Sequence, residues 1–139
     1  IYVYNMSSAD SAAWILGRWN ISGSAHTGSD YMYANAVPSS GSLYHDTSNA
    51  AAYWRFNTNS TDTNRRLDGQ IILYDPTNTS FYHGWTNMNF GYDGTTNCAA
   101  PSGGGTLKST SALTGMTFYS ASGGNIIEDS TVTIYGIKG

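Results

Sequence analysis

Charge is what this sequence has least of. Only 11% of its 139 residues are Asp, Glu, Lys or Arg, where a quarter is usual. The six basic residues are scattered and the net charge is −3, which leaves no electrostatic footprint for nucleic acid. Glu128 is the single glutamate, beside Asp129 near a turn. Neighbouring strand residues face opposite ways, so these two make a poor acid–base pair and read as solvated turn charges.

Cys98 is the single cysteine, which rules out an internal disulfide and argues against a Cys-based metal site. No base motif flanks it, and it reads as a small buried hydrophobe. No apolar run is long enough for a membrane-spanning helix. Helical periodicity is nearly absent, with one short turn allowed over Ser7–Ala13, capped by Ser7 or Ser8. A phosphate loop, His-Glu-x-x-His and Gly-x-Ser-x-Gly are all missing. His26, His45 and His83 lie in separate segments whose spacing does not call for zinc. Asp62, Asn64 and Asp68 suit turns as well as they suit calcium. The expectation is no catalysis, no cofactor and no metal.

What the chain has instead is apolar residues at 40%, Ser, Thr, Asn and Gly, and many aromatics. Its length fits a single domain, 1–139, able to bury a core. Short alternating stretches recur between turn clusters. They include Ile1–Asn5, Trp14–Asn20, Ser29–Asn35, Ala51–Asn57, Leu67–Tyr74, Ser80–Asn87, Ala112–Ser120 and Ser130–Ile137. Asp75-Pro76-Thr77-Asn78 carries turn chemistry, Gly84 suits a bulge, the polar run Thr58–Asn64 reads as a loop, and Gly103-Gly104-Gly105 as a flexible tip. This is the pattern of an all-β, antiparallel two-sheet β-sandwich of jelly-roll type. Ala112–Ser120 and Ser130–Ile137 are expected to form the closing hairpin. Val132, Ile134, Met116, Phe118, Ile71 and Leu73 should be buried together, with the last strand inside a sheet.

The 11 tyrosines and 4 tryptophans supply the binding candidates. Amphipathic rings beside Asp, Asn or His suit sugars, with rings on C–H faces and polar groups on hydroxyls. Tyr44 and His45, Tyr82, His83 and Trp85, and Tyr92 and Asp93 fit that description. For any one ring, packing in the core is the commoner use.

Ala112–Ile126 followed by Ser130–Ile137 resembles the closing hairpin of a family of tailed-bacteriophage virion domains. Tyr2-Val3-Tyr4-Asn5, Leu16-Gly17-Arg18, Asp30–Ala34 and Gly69–Pro76 are similar to upstream strands of the same family. The resemblance implies a jelly-roll module of tail fibres, head appendages or capsid decoration, structural or adhesive, on the particle surface. It also implies a longer polypeptide of which this is the C-terminal part. Implied partners are other virion proteins, a host-surface glycan and further copies of the chain, a trimer being favoured. Tyr31, Tyr33, Trp54, Tyr82 and Trp85 are the rings expected at that interface. A secreted, non-catalytic carbohydrate-binding module is the alternative, and a glycan depolymerase is disfavoured by the single glutamate.

Overall fold

The computed structural model describes residues 1–10, 13–39, 42–56, 66–92 and 98–136, with the backbone alone for Ser39 and Tyr92. The described residues hold no helix, and all their strand pairings are antiparallel, in two sheets that form a β-sandwich. The larger sheet starts at β5 (Ser42–Ala51) and β4 (Tyr31–Ser39). Next come β10 (Ser102–Leu107), β8 (His83–Tyr92), β7 (Leu67–Leu73), β1 (Tyr2–Met6) and β12 (Thr131–Thr133). β9 (Cys98–Ala99) pairs with both β4 and β8 and lies ahead of β10 in the same lane. Pro101 interrupts that lane, because proline has no N–H to give to a ladder.

The smaller sheet pairs β11 (Leu113–Ser120) with β2 (Ile15–Ile21). The other side of β2 carries β3 (Ser24–Ala25) and β6 (Trp54–Arg55). Ser22 and Gly23 link β2 to β3 with φ of 51° and 82°. Positive φ at both loop residues is what a tight two-residue hairpin demands.

Between the sheets, Trp19, Trp54 and Trp85 form one cluster. The Trp19 and Trp54 rings stack with centroids 5.5 Å apart, and Trp85 packs 5.8 and 5.7 Å from them. Phe56 and Phe118 extend the cluster, with centroids 5.4 Å apart. Buried amides hold the segment that delivers Trp54 and Phe56. Asn35 Nδ2 donates to Arg55 O at 3.3 Å, and Asn89 Nδ2 donates to Phe56 O at 2.5 Å. Tyr31 is fully buried; its hydroxyl accepts from Trp19 N at 2.9 Å and donates to His26 O at 3.2 Å.

Several expectations need correction. Segments 112–120 and 130–137 are not hairpin partners: β11 lies in the smaller sheet, and β12 pairs with β1 in the larger. The connection crosses between sheets because Ser8 bridges Ile126 and Ile127 N donates to Ser7 O. That bridge takes the place of the helical turn expected from Ser7. β12 is an edge strand, and the four-stranded sheet does not extend over it. Val132 and Ile134 are therefore exposed, at 40% and 66%, while Ile71 is buried and Leu73, Met116 and Phe118 pack partly against the core. Gly103, Gly104 and Gly105 are mid-strand in β10, paired on both sides. The register runs through Gly84 without a bulge. Cys98 is exposed. Asp75–Asn78 does form a turn, closed by Asn78 N to Asp75 O at 3.1 Å. The Thr58–Asn64 run lies outside the described residues.

Candidate functional site

Alternation along three neighbouring lanes of the larger sheet sorts its residues. Val3, Ile71, Trp85 and Asn87 turn inward and are buried. Tyr2 and Tyr4 on β1, Ile72 on β7, and Met88 and Phe90 on β8 turn outward and are exposed. Same-face residues of one strand stand about 6.7 Å apart. The Tyr2 and Tyr4 rings keep that spacing, with centroids 6.3 Å apart and planes 13° from parallel, so the two form a near-parallel step. Tyr135, 67% exposed, meets Tyr2 edge-on at 5.9 Å and 80° and walls one side of it. Gln70 is the cross-strand partner of Tyr2. An open cleft of about 1270 Å³ follows, lined among others by Tyr2, Tyr4, Gln70, Ile72, Asp75 and Tyr135.

The lining mixes flat rings with an amide, a carboxylate and phenolic hydroxyls. Such a surface can stack on the C–H face of a pyranose while polar groups accept from and donate to its hydroxyls. The rim is held by the Asp75 turn, where Asn78 Nδ2 donates to Asp75 Oδ2 at 2.8 Å. Tyr74 and Thr86 hydroxyls meet at 3.4 Å beside it.

The sequence-derived candidates are not brought together. Tyr44 and His45 are exposed on β5, at the opposite edge of the sheet from β1 and β12. Tyr82 is exposed just before β8. His83 and Trp85 are buried and leave the candidate set, because the inward face of β8 carries residues 83, 85, 87 and 89. His83 Nε2 donates to the carbonyl of Ser111 at 2.8 Å, and Trp85 belongs to the tryptophan cluster. The Tyr92 side chain and Asp93 lie outside the described residues. Of the rings expected at an interface, Tyr31, Tyr33, Trp54 and Trp85 are internal to one chain, and Tyr82 alone is exposed.

The outer face of the smaller sheet carries a different grouping. The Arg18 guanidinium lies 4.6 Å from the Tyr119 ring centroid, and that of Arg55 lies 4.1 Å from a Trp14 ring. Together they roof Leu16, the partner of Arg55 in β6 and of Tyr119 in β11. Arg18 Nε donates to Ala52 O, and Arg55 Nη1 pairs with Asp46 Oδ1 at 3.1 Å. Burial pushes the Asp46 carboxyl above its ordinary pKa, against the opposing pull of Arg55. Burial likewise raises Tyr119. These groups lid the sheet, and Asp46 Oδ2, Arg55 Nε and the Tyr119 hydroxyl are buried there without a hydrogen-bond partner among the described residues.

Among the described residues, no three of His, Cys, Asp and Glu gather as a metal site would require. Tyr2, Tyr4 and Tyr135 were missed by sequence reasoning. The Tyr-x-Tyr alternation marks a strand face, but the outward direction of that face is set by Val3 and Met6 packing beneath it. Comparison with known proteins finds no matching family model, no matching curated protein and no matching solved structure.

Proposed function

We propose that this chain is a non-catalytic, jelly-roll-type module of a tailed-bacteriophage particle that holds the particle to a host-surface glycan. The contact surface is the tyrosine step of Tyr2 and Tyr4, walled by Tyr135 and flanked by Gln70. The observation that carries this reading is the near-parallel, solvent-facing pair of rings on a rigid sheet. Core aromatics pack at varied angles and away from water; a near-parallel pair left open to solvent beside an amide suits a sugar face. The chemistry supports binding, and the virion setting comes from the sequence resemblance. Its partners there are neighbouring virion proteins and further copies of itself.

The test is titration of the domain with bacterial surface polysaccharides and their oligosaccharides. One class should bind, and Tyr2→Ala with Tyr4→Ala should abolish that binding while leaving thermal unfolding unchanged. Failure of a broad glycan panel to bind, or binding that survives the double substitution, overturns the reading. Immunolabelling of purified particles tests the location separately.

A further inference from the structure

The cleft beside the tyrosine step holds one ionic side chain. Asp75 is the only Asp, Glu, Lys, Arg or His among the described residues that line it, and the other polar side chains there are Gln70, Thr77 and the tyrosines. The Ile1 nitrogen, at the same cleft, is bonded to Ile71 O at 2.9 Å. Asp75 has φ of 44°, in the left-handed region that Asp and Asn tolerate better than other side chains. Asn78 holds it there twice, Nδ2 donating to Asp75 Oδ2 at 2.8 Å and the backbone N to Asp75 O at 3.1 Å. Asn78 is itself fixed, because its Oδ1 accepts from Ser80 N at 2.6 Å and from Phe81 N at 3.1 Å. That leaves Asp75 Oδ1 open among the described residues.

We propose that Asp75 determines the charge class of the sugar: the cleft takes uncharged glycans, whose hydroxyls donate to Asp75 while a ring lies on the tyrosine step, and it excludes uronates and other acidic sugars. The inference rests on the sugar reading of that step. A carboxylate only accepts, and a hydroxyl that donates to it makes a charge-assisted bond, stronger than one between neutral groups. The Asn78 clamp sets the residue before any ligand arrives, so little ordering cost falls on binding. An acidic sugar brings a second carboxylate into the cleft, where no lining side chain is a cation that could pair with it. That carboxylate would give up water and meet a like charge, which is how a site rejects one partner while accepting a close analogue. The net charge of −3 acts in the same direction on an approaching polyanion.

The test is calorimetric titration with gluco-, galacto- and manno-configured oligosaccharides, each in its neutral form and oxidised at C6 to the uronate. In any pair that binds, the neutral member should bind at least about tenfold more tightly. Asp75→Asn keeps the side-chain size and suits the left-handed backbone, so thermal unfolding should not change. It should weaken the neutral glycan by about tenfold and narrow the gap to the uronate, because one charge-assisted acceptor and one source of repulsion go together. Added salt should narrow the gap for the unaltered domain and have little effect on Asp75→Asn. A purely structural role for Asp75 would weaken both members of a pair alike, and an unchanged ratio overturns the inference. Uronates that bind as tightly as their neutral partners, with Tyr2→Ala and Tyr4→Ala abolishing both, overturn it too and leave the sugar reading standing. Binding by no member of the panel removes the sugar reading and this inference with it.

Discussion

Gly17 faces the indole of Trp54 across the β2–β6 pair, and a Cβ at Gly17 would overlap that ring. Glycine at this position is therefore a packing requirement of the tryptophan cluster. Gly17→Ala should push Trp54 against Trp19 and Phe56 and cost about 1–3 kcal/mol. Trp54→Ala leaves a void and should cost about 3–5 kcal/mol. Urea unfolding of both variants checks this, and a Gly17→Ala domain as stable as the parent would show that the indole moves freely.

The amides of Asn35 and Asn89 hold the backbone that delivers Trp54 and Phe56 to the core. Asn89 Nδ2 is the partner of the Phe56 carbonyl at 2.5 Å, and its side chain is buried. Asn89→Ala leaves that carbonyl without its donor in a dry setting, at a cost of about 1–3 kcal/mol. Asn89→Asp is expected to be worse, because the carboxylate cannot donate to a carbonyl and would be buried charged. Denaturant midpoints of the two variants should fall in that order.

The edge position of β12 reverses the expectation for Ile134. Ile134→Ala should change stability by less than about 0.5 kcal/mol, as an exposed substitution does, whereas Ile71→Ala should cost about 2–5 kcal/mol. Equal losses at the two positions would place β12 under cover. Alternation revealed β8, β11 and β12 as strands because period two is local. Partnership was not legible, since it depends on which lane the chain enters after residues 121–130. The Ser8–Ile126 bridge, more than a hundred residues apart in sequence, settles that crossing.

The candidate site was legible only in kind. Aromatic richness announced a surface for stacking, yet Tyr82, His83 and Trp85 read alike in sequence while two of the three are buried. The face of β8 is chosen by Trp85 joining Trp19 and Trp54, a contact between two sheets that no local pattern contains. Tyr2 and Tyr4 are left outward by the same logic, because Val3 occupies the inward place between them.

Tyr31 and Tyr33 make stability depend on alkaline pH. Burial raises both phenols from 10.0 to about 12; Trp19 N opposes the rise at Tyr31, and Asp46 adds to it at Tyr33. The unfolded chain releases these protons near pH 10, while the folded chain retains them until about pH 12. Between those values the native state binds more protons, so stability falls as pH rises. The contribution is fully present below pH 10 and is lost through the window up to about 12. Urea midpoints should therefore be level from about pH 8 to about pH 10 on this account and then drop. Tyr33→Phe removes one of the two titrations with little change of shape, and should lessen the drop while keeping the fold at neutral pH. Phenolate absorbance of the folded domain provides an independent reading, with Tyr31 and Tyr33 among the tyrosines that ionise late or only on unfolding. If all 11 tyrosines ionise together near pH 10 in the folded domain, Tyr31 and Tyr33 are in contact with water and the pH dependence should vanish with them.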